Sequence, residues 1–321
     1  MNEPQVLIKD FSVSYRTKSG ILQAVGNVTL EIGYHESLGI VGESGCGKST
    51  LGVSMLRLLP PNATCKGSIL FKGDDLLSLH PDQMRKLRGS EISMIFQDPM
   101  TSLNPIMRIR DHFFELFRVH NPGMQKGEMI EIAKEALHSV GVDPSRLDNY
   151  PFEFSGGMRQ RVMIAISIAL KPALLVADEP TTSLDVVVQE QIMQLLKKLK
   201  SERNMSIMLI THDMGIVAEL AEKVAVMYAG RLVEYAPVRQ LYTEPLHPYT
   251  RLLLRSIPNI KLDDMDLKYI PGSLPDLKNP PQGCRFYPRC PFSRGVCKDR
   301  EPPDIRLDDN RRVKCWLYGD G

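Results

Sequence analysis

Long hydrophobic runs are missing from this sequence. A membrane-spanning helix needs roughly 20 consecutive apolar residues, whereas the longest candidate, Val162 to Leu170, ends at Lys171-Pro172. The N-terminal Met1 to Pro4 has no basic n-region and no apolar h-region follows it, so we expect no signal peptide. The chain is therefore not expected to cross a membrane itself, which does not exclude a membrane partner.

An excess of charge of one sign is also missing. The 321 residues contain 40 Lys and Arg against 38 Asp and Glu, a net charge of +2, and no basic block. Surfaces that bind nucleic acids are usually strongly basic. We therefore expect no nucleic acid among the partners.

Cysteines are few, six in 321 residues. In a chain of this type they favour reduced thiols or metal ligands in the cytoplasm over a disulfide scaffold. Four of them lie in the last stretch, where proline is frequent and long periodic segments are rare, apart from Tyr249 to Ser256. We predict one domain over residues 1–240 and a C-terminal extension over residues 241–321.

The strongest motif follows the apolar run Leu38 to Val41 and reads G-E-S-G-C-G-K-S-T. Its glycines let backbone N–H groups turn towards a triphosphate, Lys48 can reach the β- and γ-phosphates, and the Ser49 hydroxyl can ligate Mg²⁺. A helix predicted from Ser49 to Leu58 would point its N-terminus at the same anion. The alternative is a glycine-rich turn without a ligand. Nucleotide contacts are expected from Gly42, Ser44, Gly45, Cys46, Gly47, Lys48, Ser49 and Thr50.

Strand and helix patterns alternate along the chain. The first segment has strand composition up to Ile32, and residues 105–146 read as helical. Apolar runs typical of buried strands return at residues 173–177, 206–210 and 224–228, with helical stretches between them. This alternation predicts a parallel sheet with crossover helices, an α/β nucleotide fold that carries a helical insert in its middle.

The apolar run Ala173 to Ala177 ends in Asp178-Glu179. A buried parallel strand delivers the residues that follow it to the carboxyl edge of the sheet, where ligands bind in open α/β folds. We expect Asp178 to hold Mg²⁺, directly or through water, and Glu179 to polarise the attacking water. An acidic N-cap on the next helix is the alternative.

Ser155-Gly156-Gly157 stands directly before a predicted helix and forms a second helix start suited to an anion. Two such starts in one chain suggest that the second faces a nucleotide on another subunit. With Met158 to Arg161, the segment resembles the signature motif of ABC-type ATPases, although Phe154 and Met158 vary the commonest form. The resemblance covers residues 4 to about 240.

Four further motifs occur in the order in which the same family has them. The resemblance implies that Tyr15 stacks on adenine, that Gln97 ligates Mg²⁺ and couples to the partner, and that His212 contacts the γ-phosphate. Ser183-Leu184-Asp185 resembles the D-loop, with serine where alanine is common. Tyr15, Gln97 and His212 would be weak signals individually, but the order of the motifs makes coincidence negligible.

The family implies a P-loop (RecA-like) core of the α/β class. An N-terminal antiparallel β subdomain and an α-helical subdomain, inserted at about residues 98–165, belong to that fold. Two ATPs would lie between the phosphate loop of one subunit and Ser155, Gly156, Gly157 and Asp185 of the other. Hydrolysis would then separate the two halves. The residues expected to catalyse it are Glu179, His212, Lys48 and Gln97.

Three short sequence segments narrow the resemblance to ATPase subunits of dipeptide and oligopeptide importers. It is carried by Phe96 to Pro105, Phe154 to Met158 and Glu244 to Thr250, and nickel importers share much of it. The family implies two membrane permease subunits, a second and related ATPase subunit, an extracytoplasmic peptide-binding protein, and a peripheral position on the cytoplasmic face of the cell membrane. Nickel remains the alternative cargo. A module that uses ATP only as a switch is disfavoured by Glu179 and His212 together.

The gaps between Cys284, Cys290, Cys297 and Cys315 are five, six and seventeen residues. Zinc knuckles usually have roughly two to four intervening residues, so the wider spacing favours an Fe–S cluster. Zinc, and free thiols or a disulfide pair, remain open. Gly283 to Pro291 resembles the C-terminal extension of the peptide importers, which implies a [4Fe–4S] cluster with a structural role.

Overall fold

The computed structural model describes residues 3–98, 102–182, 184–256, 270–308 and 310–319. Parts of two predicted motifs lie outside these ranges. They are Ser183 of the segment that resembles the D-loop and residues 99–101 of the segment that resembles peptide importers. The chain divides into two compact units, one of Met1–Gly33, Ser37–Leu77 and Leu209–Gly321, the other of Tyr34–Glu36 and Ser78–Met208. In the described ranges no helix is long and apolar enough to cross a membrane.

An antiparallel sheet begins the first unit and confirms the predicted N-terminal β subdomain. Its strands lie in the order β2 (Gly20–Ile32), β1 (Val6–Thr17), β4 (Ala63–Phe71) and β5 (Asp74–Asp75). Lys18 and Ser19 separate β1 from β2. Val6 and Ile8 are buried on β1, as the period of two in a half-buried strand requires, and Phe11 and Val13 resume this period after a register shift that follows Ile8. The elements are β1 (Val6–Thr17), β2 (Gly20–Ile32), β3 (Ser37–Val41), α1 (Lys48–Met55), β4 (Ala63–Phe71) and β5 (Asp74–Asp75).

Helix α1 is shorter than the sequence predicts. It ends at Met55 instead of Leu58, because Arg57 adopts a left-handed φ of 51° that a continuing helix does not allow. Leu51 and Met55 are fully buried, whereas Leu58 is 42% exposed. The helical spacing therefore holds only as far as the backbone stays helical.

The chain that connects two paired parallel strands of the second unit is largely helical, which confirms the predicted helical insert. Strand β6 pairs with β7, with Ile92 opposite Leu174. Helix α4 buries Met129, Ala133, Ala136 and Leu137 on one face, and Gly141 follows it at a φ of 74°, as a C-terminal glycine does. The elements are α2 (Pro81–Leu87), β6 (Ile92–Ile95), α3 (Ile109–His120), α4 (Lys126–Ser139), α5 (Gly156–Ile168), β7 (Leu174–Asp178), α6 (Val186–Arg203) and β8 (Ser206–Ile210).

The C-terminal part of the first unit adds three strands that the sequence does not predict: β10 (Arg231–Pro237), β11 (Asp304–Asp308) and β12 (Arg311–Lys314). Strand β9 runs parallel to β3, β10 antiparallel to β9, and β12 and β11 extend the same sheet beyond β10. Three of the four residues of β12 are basic, so the apolar alternation of a strand is absent. The remaining elements are α7 (Met214–Leu220), β9 (Lys223–Tyr228), β10 (Arg231–Pro237), α8 (Val238–Thr243), α9 (Pro248–Arg255), α10 (Gly295–Asp299), β11 (Asp304–Asp308) and β12 (Arg311–Lys314).

Candidate functional site

The glycine-rich loop between β3 and α1 is pinned by backbone on two sides. Gly42 has a φ of +151°, and a Cβ atom there would lie 2.1 Å from the Met227 carbonyl oxygen. Gly47 has a φ of +104°, and its Cβ would lie 2.3 Å from the Ala24 carbonyl oxygen. No side chain fits at either position, so the motif glycines are needed for both conformation and space.

The loop presents the N-terminus of α1. Gly47 is the N-cap and has no side chain that could bond the first N–H groups, which favours an anion there. Lys48 is 4% exposed, and its Nζ donates to the carbonyl oxygens of Gly42 (2.8 Å) and Glu43 (3.1 Å). The predicted phosphate-binding cation therefore rests on the loop that it serves. Cys46 is buried, and burial raises the pKa of its thiol.

Tyr15 and His212 lie in the same unit as this loop. The Tyr15 hydroxyl donates to Thr50 Oγ1 in α1 over 3.3 Å, which places the aromatic ring beside the helix that follows the loop. The N–H of Thr211 donates to the Ile40 carbonyl oxygen over 3.1 Å. His212 follows directly and is exposed, so it lies at the sheet edge where β3 enters the loop.

The end of β7 carries the predicted carboxylates in the second unit. Asp178 is 4% exposed, and Glu179 adopts a left-handed φ of 45°. Glu179 Oε2 accepts hydrogen bonds from Gln97 Nε2 (2.9 Å) and from Thr182 Oγ1 (2.9 Å). Two predicted site residues are thus in direct contact. The sequence analysis missed Thr182, whose N–H also donates to the Glu179 carbonyl oxygen. A hydroxyl residue three positions after the glutamate was the available sequence signal.

Ser155 and Asp185 both begin helices. Ser155 Oγ accepts from the Met158 N–H (3.3 Å) and caps α5, and Asp185 Oδ1 accepts from the Val188 N–H (2.9 Å) and caps α6. Gly157 lets the two helix starts pack closely, because a Cβ there would lie 2.6 Å from Val188 Cγ1. Both capping residues are exposed, as residues predicted to face another subunit should be.

The predicted nucleotide residues divide between the units. The first unit holds the phosphate loop with Tyr15 and His212, and the second holds Gln97, Asp178, Glu179, Asp185 and Ser155-Gly156-Gly157.

Four cysteines of the first unit line one cavity together with Phe286 and Trp316; they are Cys284, Cys290, Cys297 and Cys315. All are free thiols. Burial, with the other thiols nearby, raises the pKa of Cys284 to about 12. In the described part of the chain no three His, Cys, Asp or Glu side chains converge closely enough to hold a single metal ion. The thiols are gathered, but not in the arrangement of a one-ion site.

Two known protein families match successive parts of the chain. Residues 25–182 match the family described as ABC transporter. Residues 233–297 match the family described as oligopeptide/dipeptide transporter, C-terminal region. The second match includes three of the four cysteines that line the cavity.

Similar proteins span almost the whole chain. The dipeptide transport ATP-binding protein DppD of Caldanaerobacter subterraneus subsp. tengcongensis is 43% identical over 98% of both chains. The probable peptide ABC transporter ATP-binding protein y4tR of Sinorhizobium fredii is 46% identical over 96% of this chain and 93% of its own. A dimeric post-hydrolysis structure of the ATP-binding cassette MJ0796, bound to ADP and Pi, superposes with a TM-score of 0.65 at 29% identity, covering 73% of this chain and 99% of that one.

The substitution Gly42→Ala tests the loop geometry. We expect it to abolish measurable ATP binding, because the added methyl group would collide with the Met227 carbonyl oxygen and push the loop out of place. Equilibrium binding of a fluorescent ATP analogue to the purified chain measures this. Gly127→Ala is the matched control, since a Cβ there meets nothing within 4 Å. Normal binding by Gly42→Ala would contradict the described geometry.

Proposed function

The chain belongs to the ABC transporter family of ATPases, and from this membership we propose that it powers the import of dipeptides or oligopeptides through a membrane complex. One observation carries the proposal. A glutamate at the end of β7, held by Gln97 and Thr182, occurs in the same chain as a C-terminal region like that of oligopeptide and dipeptide transporters.

We propose that the predicted site residues bind and hydrolyse ATP. The N–H groups of the phosphate loop and the start of α1 would bind the phosphates, and Lys48 Nζ would exchange the Gly42 and Glu43 carbonyls for phosphate oxygens. Ser49, Asp178 and Gln97 offer the oxygen ligands that Mg²⁺ prefers. Bound Mg²⁺ would supply neutralisation of the β- and γ-phosphate charge.

Glu179 and His212 would carry out the chemical step. The hydrogen bonds from Gln97 and Thr182 both end on Oε2 of Glu179, so they fix the orientation of the carboxylate that polarises the attacking water. His212 would bind the γ-phosphate. Since little covalent chemistry is needed, catalysis rests on positioning and charge.

A second ATPase subunit would complete each site. We propose that its Ser155-Gly156-Gly157 and Asp185 equivalents close over the nucleotide, and that the partner is a related subunit rather than a second copy. The solved dimer of an ATP-binding cassette supports the pairing. Two membrane permease subunits, an extracytoplasmic peptide-binding protein and a position on the cytoplasmic face of the membrane complete the proposed assembly. Residues 1–240 would form the ATPase domain and 241–321 its extension.

Glu179→Gln tests the catalytic assignment. We expect ATP binding to persist and turnover to fall by at least ~10²-fold, the usual scale for loss of a general base, because the amide keeps the size of the side chain but cannot take a proton. The measurement is phosphate release by the complex assembled with its partners. The matched control is Glu190→Gln, an exposed glutamate of α6. Near-normal hydrolysis in Glu179→Gln would refute the assignment.

Cargo is tested on the complete transporter in vesicles. We expect dipeptides or oligopeptides, delivered with the binding protein, to stimulate ATP hydrolysis, and Ni²⁺ not to do so. The names of the relatives support peptides, so nickel is not favoured. A complex that carries Glu179→Gln is the background control. Stimulation by Ni²⁺ alone would replace peptides by the metal ion as cargo.

We propose that the four thiols hold a [4Fe–4S] cluster rather than zinc. The gaps of five, six and seventeen residues between the cysteines are wider than the roughly two to four residues of zinc knuckles. Four cysteine thiolates are the usual ligands of a [4Fe–4S] cluster, and these four thiols line one cavity. The cluster would stabilise a segment that has little core of its own.

Metal content decides this point. Protein purified without oxygen is expected to contain roughly four irons and four sulfides per chain and to show a broad visible absorption band. Cys297→Ser should lose both, whereas Cys65→Ser, which alters a thiol on β4, should keep them. One zinc per chain and no colour would make the extension a zinc site. Absence of any metal would mean four free thiols.

A further inference from the structure

The segment between Cys284 and Cys290 contacts the phosphate loop. Arg289, directly before Cys290, extends its guanidinium to Glu43, the second residue of the loop, and Nη1 donates to Glu43 Oε2 over 2.9 Å. The Arg289 side chain is 7% exposed and that of Glu43 26%. An ion pair with this much burial is screened less by water and salt than a surface pair.

The guanidinium is held in place from several directions. Nη1 also donates to the Tyr228 hydroxyl (3.2 Å), Nε donates to the Pro271 carbonyl (2.7 Å), and Nη2 donates to the Ile270 carbonyl (3.2 Å). Its planar fork is thus oriented before any nucleotide arrives, which lowers the entropy cost of pairing with Glu43.

A second connection supports the same loop. The N–H of Glu43 donates to the Tyr249 hydroxyl over 2.9 Å, and the Tyr249 ring packs 5.5 Å from the ring of Phe286, centroid to centroid. Phe286 lies between the first two cysteines in sequence. Arg285 beside it donates to the Ala229 carbonyl, and the next N–H, that of Gly230, donates to the Cys46 carbonyl over 2.8 Å.

The charge of Glu43 is the reason that Arg289 matters for binding. A carboxylate in a loop that must accept a triphosphate repels the ligand, and Lys48 is the cation that the motif provides. Arg289 adds a positive charge from outside the motif and pairs it with the Glu43 carboxylate. Without it, the negative charge at the entrance of the loop would be uncompensated in partly buried surroundings, where charges interact more strongly.

We propose that Arg289 is a positioning residue for ATP binding, which it serves by neutralising Glu43 and holding the first turn of the phosphate loop. The proposal rests on the proposed ATPase function. It makes nucleotide affinity a property of the cysteine-bearing segment as well as of the loop motif itself.

The test is a double-mutant cycle on the full chain. Arg289→Ala is expected to raise the Kd for MgATP about tenfold, equivalent to 1.4 kcal/mol. Glu43→Gln is expected to bind ATP more tightly, because it keeps an acceptor for Arg289 and removes the negative charge. The double variant should return close to the parent Kd, and Arg289→Lys should lie between Arg289→Ala and the parent. In the assembled transporter, KM should rise with Arg289→Ala while kcat changes little.

Arg311→Ala is the matched control. Arg311 is also a buried arginine of the C-terminal extension, and it pairs with Glu244 over 3.1 Å instead of with a residue of the loop. Its loss should leave the Kd for MgATP unchanged.

Three results would overturn the proposal. They are an unchanged Kd in Arg289→Ala, a loss of affinity that Glu43→Gln does not reverse, and an equal loss in Arg311→Ala. A parent chain that binds no ATP at all would overturn the proposed function together with this inference, and is recognised because Lys48→Ala would then make no difference.

Discussion

A loop that binds a triphosphate through backbone N–H groups must be unable to relax. In this chain the constraint is the close approach of other backbone at two glycines, with the Met227 carbonyl of β9 against Gly42 and the Ala24 carbonyl of β2 against Gly47. Fixed N–H dipoles need little reorganisation when the charge arrives. The N-terminal antiparallel sheet and the core strand next to β3 therefore both constrain the proposed phosphate loop.

The sequence predicts the placement of the candidate site residues in the fold where the signal is local or follows sheet topology. The strand–loop–helix order around Lys48 depends on spacing alone. Gln97 and Glu179 are 82 residues apart, yet they meet because each follows the end of one of two paired parallel strands, β6 and β7. This is the rule that brings ligand-binding residues to one edge of an α/β sheet.

Contacts without a periodic or topological signal could not be predicted. Arg289 and Glu43 are 246 residues apart, and neither belongs to a pattern that points to the other. Strands β11 and β12 were missed because they pair through backbone while their side chains are largely charged. The early end of α1 depends on the left-handed backbone of Arg57. The usual sequence signal for such a helix end is a glycine, and this position holds an arginine.

The C-terminal extension continues a sheet of the ATPase core through backbone pairing. Strand β12 pairs with β10, and the C-terminal family region already begins at residue 233, within β10. A small cluster of Leu246, Val313 and Cys315 adds buried apolar surface, and Trp316 Nε1 donates to the Arg300 carbonyl over 3.0 Å. Sheet pairing thus supplies much of the order that such a short segment cannot provide by itself.

The cap at the start of α5 has a consequence for how a pair of subunits could open and close. A serine hydroxyl has one donor hydrogen and two acceptor lone pairs, and the Met158 N–H uses only an acceptor of Ser155. Its hydrogen can therefore turn towards a phosphate oxygen of a neighbouring molecule while the helix end remains capped. An aspartate at this position would cap equally well but would bring a charge and no hydrogen to give. Opening and closing of the pair would then be reversible without any fraying of α5.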